Sequence, residues 1–243
     1  MRRFRLTPTW HLVLFGFALG LVIASTVTIV SARRYGDPAV YLLGSGTGLS
    51  ALIAGETHRI LVVGGDDPSA LANAISAARP TMLRRIDLVV LMPGATERVA
   101  DRAVEIARPT RLYALPNERF HPAGTILDQR IRPMDGPSSI RLGEDLLIDL
   151  YPDANAGWSV RVSFGAAIIL LTERSPVWPV AGAVAVTGES VSDSVAALDL
   201  PVFVAGDAAP NEWSTSTHGN LHTVDRGTVL RITLSLEGLI VRL

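Results

Sequence analysis

The chain has 243 residues, 48% of them apolar, with 22 basic and 23 acidic side chains and a formal charge of −1. It has no cysteine, which excludes disulfides and leaves the redox compartment unread from composition. Charge is unevenly placed: five Arg fall in the first 34 positions, and the remainder carries 17 Arg against 23 Asp and Glu, a formal −6, which excludes a general electrostatic pull toward nucleic acid or anionic lipid.

A short basic arm, residues 1–9, precedes Trp10 to Ala32, a stretch free of Asp, Glu and Arg. At 1.5 Å per helical residue it is long enough to cross a hydrocarbon core of roughly 30 Å. Arg2, Arg3 and Arg5 before it outnumber Arg33 and Arg34 after it, which predicts a cytoplasmic N-terminus and an exported remainder at the cell membrane. The alternative is a signal peptide cleaved at Val30-Ser31-Ala32, but the apolar run exceeds the roughly 7–15 residues of a usual signal core. Residues 10–32 are therefore read as an uncleaved anchor and 33–38 as a linker.

From residue 39 the chain reads as one domain. Short apolar, β-branched runs at 39–43, 51–53, 59–63 and 87–92, and again at 146–151, 159–164, 166–172, 183–187, 201–205, 228–234 and 238–243, are punctuated by Gly, Pro or Asp and predict strands. Three segments predict helices: 68–79, with Asp67 as N-cap and Pro68 in the first turn; 95–108, with Val99, Ala103 and Ile106 on one face and Pro109 as stop; and 189–198. Strands with few helices between them imply an α+β fold, a two-sheet sandwich with helices outside.

YLLGSGTGLSALI (41–53), RILVVGG (59–65), IDLVVLMPGATER (86–98) and LLTER (170–174) follow one another in an order that resembles the metallo-β-lactamase fold. Within that superfamily the chain is most similar to the extracytoplasmic domain of competence-type DNA-uptake channel proteins. Gly46, Gly48, Ser50, Gly64, Gly65, Ile86 and Asp87 fall in register with that family's framework. The resemblance implies an αββα sandwich over 39–243, and it also implies where a dimetal centre belongs. There the family's T-H-x-H-x-D-H loop is replaced by Pro93, Ala95, Glu97 and Arg98, and the bridging Asp of T-G-D by Arg174. Gly44 and Leu49 stand where the first turn of the family opens and closes with Asp, and no counterpart of its downstream His-His-Gly segment is found. Zinc requires three or four imidazole, thiolate or carboxylate donors. Only Glu97 qualifies, and two guanidinium groups would repel a dication. The expectation is a domain without metal or cofactor.

Other motifs carry less. GSGTG (44–48) leads into a strand-like segment and reads as a tight turn, not a phosphate loop. HGNLH (218–222) spaces two His as a helical metal pair would, but Gly219 and Asn220 make a poor helix. Asp66, Asp67, Glu97 and Asp101 could converge on a hard cation, or Asp66 and Asp67 could simply cap the following helix. No G-x-S-x-G elbow is present. The resulting expectation is a membrane-anchored, exported domain without catalysis, with a binding or structural role toward a protein partner and none toward nucleic acid. Its ligand groove would be rimmed by Arg98 and Arg174, with Glu97, Asp66 and Asp67 nearby. The competing expectation is a hydrolase with a rebuilt acid-rich metal site or a metal-free mechanism.

Overall fold

A computed structural model describes residues 38–55, 58–78, 86–114, 131–133, 136–153, 157–173, 182–188, 199–206 and 221–242. The chain divides into two compact units, Met1–Gly36 and Asp37–Leu243, and all the described residues belong to the second. The anchor expected at 10–32, the helix expected at 189–198, Arg174 and His218 lie outside the described residues. Among the described residues no helix is long and apolar enough to cross a membrane.

The elements run β1 (Ala39–Gly44), β2 (Leu49–Ala54), β3 (Arg59–Val63), α1 (Pro68–Ala78), β4 (Leu88–Leu91), α2 (Glu97–Ala107), β5 (Arg111–Ala114) and β6 (Ile131–Pro133). They continue with β7 (Ser138–Leu142), β8 (Leu146–Asp153), β9 (Gly157–Phe164), β10 (Ala167–Thr172), β11 (Ala183–Val186), β12 (Val202–Ala205), β13 (Leu221–Val224), β14 (Val229–Ser235) and β15 (Gly238–Arg242). Two mixed sheets result, one of eight strands ordered β15-β14-β1-β2-β3-β4-β5-β6 and one of seven ordered β13-β12-β11-β10-β9-β8-β7. Each sheet is antiparallel in one half and parallel in the other: β3 to β6 pair parallel in the first, and β10 to β13 in the second.

Alternation along the strands builds the sandwich. Val40, Leu42, Ile53, Ile60, Val62 and Val90 from the first sheet meet Ile148, Val160, Val162, Ile169, Leu171 and Phe203 from the second in one fully buried core. The opposite face of the first sheet carries Leu43, Leu52, Leu61, Val63, Val89 and Leu91, which pack under Leu71 and Ile75 of α1 and Val99 and Ala103 of α2. Covered on both faces, β4 is wholly apolar, β3 is apolar after Arg59, and β2 is apolar apart from Ser50.

α1 begins where expected because Asp67 caps it, and α2 begins two residues later than the sequence suggests. Ala95 is tied back by its N–H to Met92 O at 3.0 Å, and the Thr96 N–H reaches Gly65 O at 3.2 Å, so both belong to a loop stitched onto the end of β3. Arg108 then stops α2 in the left-handed region at φ 44°.

Candidate functional site

Several strand ends meet at one edge of the sandwich. β1 leads there into Ser45–Gly48, β3 into Gly64–Asp67, β4 into Met92–Thr96, β10 into Glu173, β11 into Thr187–Gly188, and β13 into the Asp225–Thr228 turn. The carboxyl ends of parallel strands are where open α/β sheets usually place ligands.

Backbone contacts at this edge are close enough to require glycine. A Cβ on Gly48 would lie 2.3 Å from Thr187 O, and one on Gly64 would lie 2.5 Å from Leu49 O. The Ser50 hydroxyl accepts the Gly64 N–H at 3.0 Å and donates to Gly64 O at 2.9 Å, so these framework positions fasten the β1–β2 turn to the end of β3. Ile86 is buried, and Asp87 Oδ2 accepts the Arg59 N–H at 2.9 Å.

The corner after β4 carries the contact that matters most. Glu173 Oε1 accepts the Gly94 N–H at 2.6 Å, while Oε2 lies 3.5 Å from the Trp158 N–H. One carboxylate thus links the loop after β4, in the first sheet, to β9 and the end of β10 in the second. Gly94 sits between Pro93 and Ala95, the two positions where the resembling family carries histidines.

The donor set here does not fit a metal. Pro93 and Ala95 have no side-chain donor, the Ala95 side chain is buried, and Glu97 and Arg98 stand exposed on the first turn of α2. Among the described residues no group of three or more His, Asp or Glu side chains comes together. Gly44, standing for an Asp of the family turn, also has a local reason. The Asp225–Thr228 turn packs directly on it, with Gly44 N–H to Thr228 O at 3.1 Å, and a Cβ there would sit 2.0 Å from Asp225 O.

A cleft of ≈ 240 Å³ opens beside this corner, lined by Gly46, Thr47, Asp66, Asp67, Pro68 and Arg226. Ser45 O accepts both the Asp66 and Asp67 N–H at 3.0 Å, and Asp66 Oδ1 accepts the Thr47 N–H at 2.9 Å. Asp67 Oδ1 caps α1 through Ser69 and Ala70 N–H at 2.8 and 3.1 Å, and Oδ2 takes the Arg226 guanidinium through Nε and Nη2. The Ala70 N–H, aided by Arg226 and Ser69, holds the Asp67 carboxyl below its ordinary value against the opposing effect of burial.

Of the residues expected around one groove, Asp66 and Asp67 line this cleft and Glu97 and Arg98 do not. Asp67 is a helix cap, the simpler of the two readings its position allows. Glu173 and Arg226 are the residues that sequence reasoning missed. Glu173 takes the Gly of the family's T-G-D, so attention to the missing Asp at 174 passed over it. Arg226 sits in Asp225-Arg226-Gly227, a turn signal with no chemical motif attached.

No protein-family model and no curated protein matches the sequence. Among solved structures the chain is similar to YhfI from Bacillus subtilis, a metallo-beta-lactamase fold protein, over 81% of this chain and 100% of that one, at 11% identity and a TM-score of 0.44. It is also similar to Zn²⁺-bound PqqB from Methylobacterium extorquens over 79% of this chain and 99% of that one, at 11% identity and a TM-score of 0.51. The two mixed sheets with helices outside are a metallo-β-lactamase-fold sandwich.

Proposed function

We propose that this is a membrane-anchored, exported metallo-β-lactamase-fold protein without metal-dependent catalysis, serving as a binding or structural partner in an envelope assembly. The observation that carries the reading is the corner after β4. Its side chains at 93, 95 and 98 are Pro, Ala and Arg, and its Gly94 N–H is taken by the Glu173 carboxylate at 2.6 Å. A carboxylate held by that N–H, beside Pro93, Ala95 and Arg98, which offer no metal donor, and with Glu97 exposed on α2, is a fastening between sheets and not a coordination sphere.

The membrane attachment rests on residues 10–32, and the exported side rests on the Arg placed around them. With the metal positions replaced, the edge of the sandwich still offers the cleft of Gly46, Asp66 and Arg226 and the exposed Arg98 as features a partner can grip. The acidic balance after the anchor argues against nucleic acid as that partner.

Elemental analysis of the full chain tests the reading. The protein is purified in detergent without a metal-affinity step and then equilibrated with Zn²⁺ or Mn²⁺. The expected result is folded protein with no stoichiometric metal. One or two tightly held ions per chain would overturn it and restore the hydrolase.

A further inference from the structure

Among the described residues the exposed large hydrophobics are Leu236, 61% exposed, and Ile240, 47% exposed, and both belong to the β14–β15 hairpin. Single exposed apolar side chains are ordinary and need no explanation. The position and rigidity of this pair are what need one.

Leu236 sits in the two-residue turn of the hairpin. Ser235 Oγ closes that turn by accepting the Gly238 N–H at 3.1 Å and donating to Gly238 O at 2.8 Å. The turn is also braced from the other sheet, because Leu236 O accepts the Ala166 N–H at 3.0 Å. Gly165 permits that approach, since a Cβ there would lie 2.8 Å from Leu236 Cα. Ile240 pairs with Thr233, and Thr233 pairs with Ala39, the first residue of β1. Just before it, Pro38 O accepts the Leu234 N–H at 2.7 Å. The apolar tip is therefore rigid and stands beside the point where the chain enters the sandwich.

Chain length connects that point to the membrane. Only residues 33–37 separate the apolar run ending at Ala32 from Pro38. Five residues reach at most about 18 Å when fully extended. With an anchor at 10–32, the linker limits how far Pro38, where β1 begins, can stand from the end of the apolar run.

We propose that the β14–β15 tip docks on the lipid surface, with Leu236 and Ile240 entering the boundary between headgroups and acyl chains. Glu237, the other residue of the turn, is exposed and keeps to the water side of the headgroups, while Leu236 and Ile240 make the apolar contact, for which uncharged phosphatidylcholine suffices. Docking also orients the molecule. β1 runs six residues from this end to Gly44, about 20 Å at strand rise, and delivers the cleft of Gly46, Asp66 and Asp67 to the far edge, open to partners outside the membrane. The inference rests on the membrane-anchored reading, and its test separates the two.

Because the chain has no cysteine, single substitutions Leu236→Cys, Ile240→Cys and Glu97→Cys each accept one environment-sensitive fluorophore. Glu97 is exposed at the far edge and serves as the reference. Full-length protein is placed in phosphatidylcholine vesicles, floated on a density gradient and titrated with aqueous iodide. Labels at 236 and 240 are expected to be quenched several-fold less than the label at 97. Equal quenching at all three positions in protein that floats would overturn docking and leave the anchor standing. Protein that stays at the bottom of the gradient would overturn both. Protection that rises with protein-to-lipid ratio would mean that a second copy covers the hairpin, and this too overturns docking on lipid.

Discussion

Asp67 serves two structures with one carboxylate. Its Oδ1 satisfies the first N–H groups of α1, and its Oδ2 holds Arg226, which belongs to the turn between β13 and β14. Of the two, the cap contributes more, because the Arg226 side chain is 63% exposed and a pair so open to water is weak. Asp67→Ala is expected to cost about 0.5–2 kcal/mol in urea unfolding, the range of a lost N-cap. Asp67→Asn keeps a capping oxygen and should cost less. The pH dependence follows from the depressed carboxyl. A group whose folded value lies below the ordinary 3.8 stabilises fully above that value and loses its contribution as pH falls through the folded one. Wild type and Asp67→Asn should therefore differ most at neutral pH and converge in acid. A gap that widened on acidification would contradict this account of the carboxyl.

At the scale of elements, the strands that build the core and the β14–β15 hairpin were legible, while β5, β6, β7 and β13 were not. β1 to β4 and β10 to β12 announce themselves because burial on one or both faces leaves little but Val, Ile, Leu and Ala in them, and β8 and β9 do so by alternation, with Leu146, Ile148, Leu150, Trp158, Val160 and Val162 facing the core. β7 and β13 lie at the edges of the second sheet, and β5 and β6 close the parallel side of the first. Ser138-Ser139 in β7, and Arg111 and Arg132 in β5 and β6, dilute the apolar signal there. They take strand form because a neighbouring strand offers them hydrogen bonds, which no local pattern records. The edge carrying the candidate site was legible in its glycines, but the reason for each glycine was not. Gly48 is kept small by the carbonyl of Thr187, 139 residues further along the chain. Gly48→Ala is accordingly expected to destabilise by about 1–3 kcal/mol, the usual range for overpacking. Gly136→Ala, with nothing within 4 Å of the added carbon, should stay within about 0.5 kcal/mol of wild type. Equal midpoints for the two variants in urea would mean that the close approach of Gly48 to β11 is not a constraint.

For the whole molecule, the question is what holds two sheets together at an edge where the resembling family places metal. In this chain the fastening is internal. Glu173 reaches from the second sheet to the Gly94 N–H of the first, while within the first sheet Ser50 grips both polar atoms of Gly64 and within the second the Thr187 N–H reaches Thr172 O at 2.8 Å. None of these bonds needs an ion to form, so the fold should be indifferent to one. Mass action makes that testable on the intact protein. A ligand bound only by the folded state adds about 2.7 kcal/mol at a hundred times its Kd. For a domain of this size that raises the unfolding midpoint by roughly 5–11 °C. Zinc at tens of micromolar is far above the Kd of any dedicated site, yet it should leave the melting temperature of the full chain unchanged, as should prolonged treatment with a chelator. A rise of several degrees with Zn²⁺, reversed by the chelator, would locate a donor set beyond the corner after β4 and return the molecule to the metallohydrolases. An unchanged midpoint fits a sandwich whose edge is closed by its own side chains, leaving the adjacent cleft for recognition.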